Sequence, residues 1–301
     1  MNRRLFVRNS FFSLVSSSLF YSSFKFKKNT FNLDYAPHFG LFESNSGKDF
    51  LDQIDFIYEQ GFRSIEDNGM KLRSVNDQEK ISNKLKNLNM RMGVFVAHNI
   101  YWDKPNLASG NLDYRKEFLQ QIKSSVEIAK KVNAKWMTVV PGFLDLRLSK
   151  SYQTHNVIET LKRASDILEP HDLVMVLEPL NFRDHPGMFL TESPQAFEIC
   201  SSVDSPSCKI LFDIYHQQIQ EGNLIPNIDF CWKEIAYFQI GDNPGRNEPL
   251  TGEINYMNIF KHIYTKGYKG ILGMEHGNSV NSKEGERLTI DSYKKVDNFL
   301  S

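Results

Sequence analysis

Four polar residues close four apolar runs in the second half of the chain. Leu173-Val174-Met175-Val176-Leu177 ends in Glu178, Ile210-Leu211-Phe212 in Asp213, the run reaching Phe238 in Gln239, and Ile271-Leu272-Gly273-Met274 in Glu275. A carboxylate at the end of an apolar run is costly to bury unless it is paired or bound to a cation. Any one of the four alone fits a helix cap or an arginine partner equally well. Held together, the three carboxylates repel unless a divalent ion neutralises them, and with the amide oxygen the all-oxygen set suits Mg²⁺ or Mn²⁺ better than a thiolate-rich zinc site. Such a centre could act as a Lewis acid on a substrate oxygen while neighbouring carboxylates exchange protons with the substrate.

Other residues gather around these four. Arg246, in the segment after Gln239, suits a clamp on an anionic group of a substrate; a solvated loop arginine is the alternative. His216, three positions after Asp213, suits a hydrogen bond to substrate or the orientation of the metal's ligands, and a satisfied structural histidine fits as well. Glu66 and His98 end the second and third runs and are candidate pocket residues; His38, His185 and Tyr35 are weaker ones. Trp102 and Trp136 are expected near the same rim, where an aromatic wall would exclude water.

Positioning these residues takes alternating strands and helices. Strands are predicted near Asn32–Phe42, Ser64–Asp67, Met92–His98, Trp136–Pro141, Val174–Leu180, Ile210–Tyr215, Ala236–Ile240 and Ile271–Glu275. Most are near-continuous apolar runs, as expected of parallel strands buried on both faces. Helical periods follow them, most clearly over Asp113–Val132, where Phe118, Ile122, Val126 and Ala129 recur every three or four residues. Eight such repeats in about 270 residues predict a single (β/α)₈ TIM barrel over residues 31–301, with chemistry at the carboxyl ends of the strands. No G-x-G-x-x-G or P-loop pattern follows the early strands, which argues against a nucleotide fold.

Residues 1–30 read as an address. Arg3 and Arg4, then Phe6 and Val7, precede an apolar, Ser-rich run over Phe11–Phe24 that is free of acids. The pattern resembles a twin-arginine export signal and predicts export, in a bacterium to the periplasm. Its apolar run is too short to span a bilayer, so no stable membrane insertion is expected. The chain carries 36 Lys plus Arg against 36 Asp plus Glu. That balance leaves no bulk electrostatic footprint for a polyanion, so nucleic-acid binding would need a local basic stripe, which the sequence does not show, and an endonuclease related by fold is disfavoured. Cys200, Cys208 and Cys231 read as small buried apolar residues. A Cys200–Cys208 bridge would require an oxidising compartment.

Longer motifs narrow the reading. Leu177-Glu178-Pro179-Leu180-Asn181, Asp213-Ile214-Tyr215-His216-Gln217-Gln218, and above all Gln239-Ile240-Gly241-Asp242-Asn243-Pro244-Gly245-Arg246-Asn247-Glu248-Pro249 with Thr251-Gly252-Glu253-Ile254-Asn255-Tyr256 resemble the hydroxypyruvate isomerase family of xylose-isomerase-like barrels. The resemblance implies a metal at Glu178, Asp213, Gln239 and Glu275, with Glu178 and Glu275 as the acid/base pair. It also implies a small keto acid as substrate, interconverted as hydroxypyruvate and tartronate semialdehyde are. Related ketose 3-epimerases typically carry His where this chain has Gln239. After Glu275 the chain departs from the family, with His276-Gly277 in place of a Tyr-containing run. Two other classes stay open: a sugar epimerase or isomerase of the same superfamily, and an exported carbohydrate-binding barrel without catalysis. A homo-oligomer is compatible with each.

Overall fold

The computed structural model describes residues 31–300; the leader reading lies outside the described residues. Eight strands run in chain order: β1 (Tyr35–Pro37), β2 (Ser64–Ile65), β3 (Arg91–Met92), β4 (Trp136–Val139), β5 (Val174–Leu177), β6 (Cys208–Asp213), β7 (Ile235–Ile240) and β8 (Leu272–Met274). All pairings between them are parallel. They form a six-stranded curled sheet in the order β1-β8-β7-β6-β5-β4 and a two-stranded sheet of β2 and β3. Parallel bridges join the two sheets at both seams, His38 to Glu66 and Val96 to Thr138.

The strands are shorter than the apolar runs suggested, for local reasons. β1 stops at Pro37, and Gly40, with φ of 91°, turns the chain before Phe42. After Met92 the third segment touches its neighbours only through scattered bonds, such as Thr138 N–H to Phe95 O at 2.8 Å. β6 ends at Asp213 because that side chain caps the following helix, Ile214–Gln220. Its Oδ1 accepts from the backbone N–H groups of Tyr215 (2.8 Å) and His216 (3.3 Å).

The expected helix after the third segment is present as Leu112–Val132. It is capped by Asn111 and buries Phe118, Ile122, Val126 and Ala129. The cysteines are buried and free, and no helix among the described residues is long and apolar enough to cross a membrane.

Alternation along the strands builds the site. Ala36, Val94, Val174, Val176, Leu211, Tyr237 and Ile271 form one small apolar cluster, while Met175, Leu177, Ile210, Phe212 and Phe238 belong to the large core shared with the helices. Successive strand residues point to opposite faces. Two residues beyond Val176, Leu211 and Tyr237 come Glu178, Asp213 and Gln239; four beyond Ile271 comes Glu275. Each candidate ligand therefore continues the face of an apolar residue below it, and the apolar cluster forms the floor of the site.

Trp136 corrects the sequence expectation. It opens β4, at the end opposite the strand carboxyl ends, and packs on Tyr237 with ring centroids 5.8 Å apart.

Candidate active site

Glu178 follows β5, Asp213 closes β6, Gln239 lies in β7 directly beside Asp213 in register, and Glu275 follows β8. Glu178, at 8% exposure, Asp213 and Gln239 are buried, whereas the Glu275 side chain retains 28% exposure. Arg246 spans two of the acids: its Nη2 lies 3.0 Å from Asp213 Oδ2 and 2.8 Å from Glu275 Oε2. Nε donates to the Glu275 carbonyl, and the guanidinium lies over the Tyr215 ring at 4.9 Å.

The loop after β7 holds that arginine. Arg246 itself has φ of 50°, and Asp242 binds the loop together by accepting from the backbone N–H groups of Asn243, Gly252 and Ile254.

The electrostatics are those of crowded acids. Burial raises the pKa of Glu178 well above the carboxylate range, and the charges of Glu275 and Asp213 raise it further against the pull of Arg246. Burial and Asp213 lift Glu275 to about 7, opposed by Arg246 and by an amide hydrogen bond from Asn68 at 2.8 Å. In contrast, Gln239 Oε1 is buried with no hydrogen-bond partner. An acceptor left without a donor, in register beside Asp213, is an atom a hard cation could use, and Glu178 and Asp213 lie close enough together to share one.

His216 faces the same acids, with Nε2 3.7 Å from Glu178 Oε1 and 3.6 Å from Asp213 Oδ2, so the three side chains could together surround an ion. Its Nδ1 accepts the backbone N–H of Asn181 at 3.2 Å, and burial lowers its pKa to about 4. With Nδ1 accepting, a neutral ring carries its proton on Nε2 and His216 is a donor into the site; ligating an ion through Nε2 would take the other tautomer. A row of rings leads out from it. His185 lies 5.4 Å from His216, and Trp102, 48% exposed, stacks on His185 at 5.0 Å.

His98 is placed differently. Nε2 accepts from Val140 N–H at 3.2 Å and Nδ1 bonds the Asn99 carbonyl, so both nitrogens serve backbone groups. With Asn68, Lys71 and Trp102 it lines a cavity of about 620 Å³ beside the acids.

Glu66 is 1% exposed. Oε2 accepts the Tyr237 hydroxyl proton at 2.8 Å, and Oε1 accepts the Gln239 side-chain N–H at 2.8 Å. Burial and Glu275 raise its pKa, against those two donors. A methyl group at Gly273 would overlap the Glu66 carboxylate, so glycine at this point of β8 leaves room for Glu66 where its two hydrogen bonds hold it. Gly273→Ala is expected to destabilise the protein by about 1–3 kcal/mol, the usual cost of overpacking, in denaturant unfolding; an unchanged midpoint would show that Glu66 yields freely.

Sequence reasoning missed Tyr237, Asn68 and Asn181 as partners. Tyr237 alone had a signal, since it lies two residues before Gln239 on the same strand face.

The chain belongs to the xylose isomerase-like TIM barrel family, whose model matches residues 54–296. It is 32% identical to the hydroxypyruvate isomerase of Escherichia coli (strain K12) over 179 residues, 60% of this chain and 69% of that one. It is 27% identical to the 2-oxo-tetronate isomerase of Cupriavidus necator over 228 residues, 75% of this chain and 86% of that one. Among solved structures, an AP endonuclease of family 2 from Brucella melitensis superposes with a TM-score of 0.73 at 25% identity, covering 84% of this chain and 96% of that one. The two isomerase relatives make this chain an isomerase.

Proposed function

We propose that the protein interconverts hydroxypyruvate and tartronate semialdehyde, or a similar small 2-keto acid pair, with a bound Mg²⁺ or Mn²⁺. The observation that carries the reading is the buried, partnerless Gln239 Oε1, in register beside Asp213 at strand ends that also carry Glu178 and Glu275, of which Asp213 and Glu275 pair with Arg246. Glu178, Asp213, Gln239 and Glu275 would hold the ion, which when bound supplies Lewis-acid stabilisation of negative charge on the substrate oxygens. Glu178 and Glu275 take the proton from one carbon and return one to its neighbour. His216, with its proton on Nε2, donates a hydrogen bond to a substrate oxygen. Arg246 binds the substrate carboxylate, and Trp102 and His185 wall the entrance against water.

The test is solvent deuterium exchange across a panel of small keto acids and neutral ketoses, with and without Mg²⁺ or Mn²⁺. Metal-dependent exchange into the keto acids supports the reading. Exchange into ketoses alone moves the protein to the epimerase branch, and no exchange anywhere leaves a binding barrel.

Arg246→Ala refines the substrate assignment. Loss of a charge-assisted hydrogen bond is worth about 1.5–3 kcal/mol, so keto acid turnover is expected to fall roughly 10- to 100-fold and neutral ketose turnover much less. Equal losses would remove Arg246 from carboxylate recognition.

Export through a twin-arginine route is part of the proposal and rests on the leader sequence. Precursor held in the cytoplasm after replacement of Arg3 and Arg4 by Lys would support it; export unaffected by that replacement would refute it.

A further inference from the structure

Glu66 is a buried acid of the site that makes no ion pair with Arg246, and its two oxygens are both taken by hydrogen-bond donors. It reaches from the end of β2 to Tyr237 and Gln239 on β7, which is not a neighbouring strand. Two glycines clear the way. Besides the notch at Gly273, a methyl group at Gly93 would stand 2.4 Å from the Tyr237 hydroxyl. The contact is therefore built into three strand ends and the segment after β3.

The Gln239 amide has one donating end and one accepting end, and only the accepting oxygen can ligate a cation. Its NH₂ is spent on Glu66, and its oxygen is the atom left buried without a partner. We propose that Glu66 is a positioning residue that fixes the Gln239 amide with its oxygen toward the metal site, while Tyr237 holds Glu66 in place. An ionised carboxylate, the form that a cation bound at Gln239 favours, suits the task because it only accepts, so the amide cannot turn over without facing oxygen to oxygen. The negative charge behind the NH₂ also makes the amide oxygen a better donor to a cation. On this account Glu66 and Gln239 act as a pair. The inference rests on the metal reading of the same site.

The test is calorimetric titration of the purified, metal-stripped protein with Mn²⁺, in a double-mutant cycle of Glu66→Gln and Gln239→Ala. In the wild-type background, Glu66→Gln lets either end of two facing amides turn, and Mn²⁺ affinity is expected to fall at least tenfold, as for other outer partners of metal ligands. In the Gln239→Ala background there is no amide to orient, and the same substitution is expected to change affinity less than threefold. A structural or purely electrostatic role for Glu66 would keep its full effect there. A smaller loss in the first background, or a larger one in the second, overturns the inference. Should Glu66→Gln not fold, Glu66→Asp, which keeps the charge and withdraws the carboxylate by one methylene, is read in the same cycle against the same limits. Wild-type protein that binds no Mn²⁺ would fail the metal reading itself, and this inference with it; Mn²⁺ binding that ignores Glu66 fails this inference alone.

Discussion

Glu178→Gln will lose at least about 10³-fold in turnover and leave the metal-free protein no less stable than wild type. The first half follows from chemistry. A positioned acid/base group contributes about 10²–10⁴-fold, and this one also belongs to the proposed ligand set. The second half follows from the environment. Burial and the charges of Glu275 and Asp213 hold the Glu178 proton well above its ordinary range, so its ionised form is a cost to the metal-free fold. Glutamine keeps the shape and removes that charge. Glu275→Gln should lose turnover comparably, with a smaller gain in stability, because Arg246 and Asn68 already partner that carboxylate. Turnover within tenfold of wild type in either variant would end the acid/base assignment. A clear loss of melting temperature in metal-free Glu178→Gln would mean that the charge is not a burden.

The second large effect is on stability against pH, and metal should reverse its sign. Glu66 and Glu178 have raised pKa values and Glu275 sits at about 7. An unfolded glutamate titrates near about 4.3, so between these limits the fold binds more protons than the unfolded chain and loses stability as pH rises. His98 and His216, lowered to about 4, and His276, lowered to about 3, all by burial, act the other way. They are buried neutral and gain stability for the fold up to the unfolded histidine value of about 6.5. The two groups oppose each other below pH ~6.5, and above it the histidine contribution is complete.

Lys71, lowered to about 8 by burial, adds stability only above that pH. The window from pH ~6.5 to ~8 is therefore governed by the acids, and the chelator-treated protein is expected to melt at progressively lower temperature across it. Mn²⁺ competes with protons and binds the ionised acids, so its stabilisation should grow over the same window. At a hundredfold excess over Kd it contributes about 2.7 kcal/mol, or roughly 5–10 °C for a chain of this size. Melting curves at pH 6.5 and 8, with chelator and with Mn²⁺, decide it. A chelator-treated melting temperature that climbs between those pH values, or one that Mn²⁺ leaves unchanged, would overturn the account.

What the sequence revealed and what it concealed divide along one physical line. Glu178, Asp213, Gln239 and Glu275 were legible because each closes an apolar run, and strand alternation then brings all four to one face. The partners of those residues lie across the barrel and leave no local pattern. Glu66 marks a strand end, as read, but its attachment to Tyr237 and Gln239 on β7 depends on barrel curvature and on the space at Gly273. His98 also ends its run, yet its nitrogens serve Val140 and Asn99 through backbone positions that side-chain identity does not encode. Arg246 was read as a substrate clamp. In the structure it lies between Asp213 and Glu275, because a loop with left-handed backbone at Arg246 folds back over the strand ends. Strand lengths were overestimated where Pro37 and the Asp213 cap end the ladder early. Trp136 was assigned to the wrong end because an aromatic in an apolar run does not announce its level in the barrel.

Asp213 presents one oxygen to the site and gives the other to the first turn of the helix behind it. On the proposed function that position serves twice, once in the reaction and once in the integrity of the scaffold. On the same reading Glu178 serves the reaction alone, against the grain of stability. As selection for activity relaxes, substitutions should accumulate first at Glu178, because its loss relieves the fold, and last at Asp213, because its loss unravels a helix start.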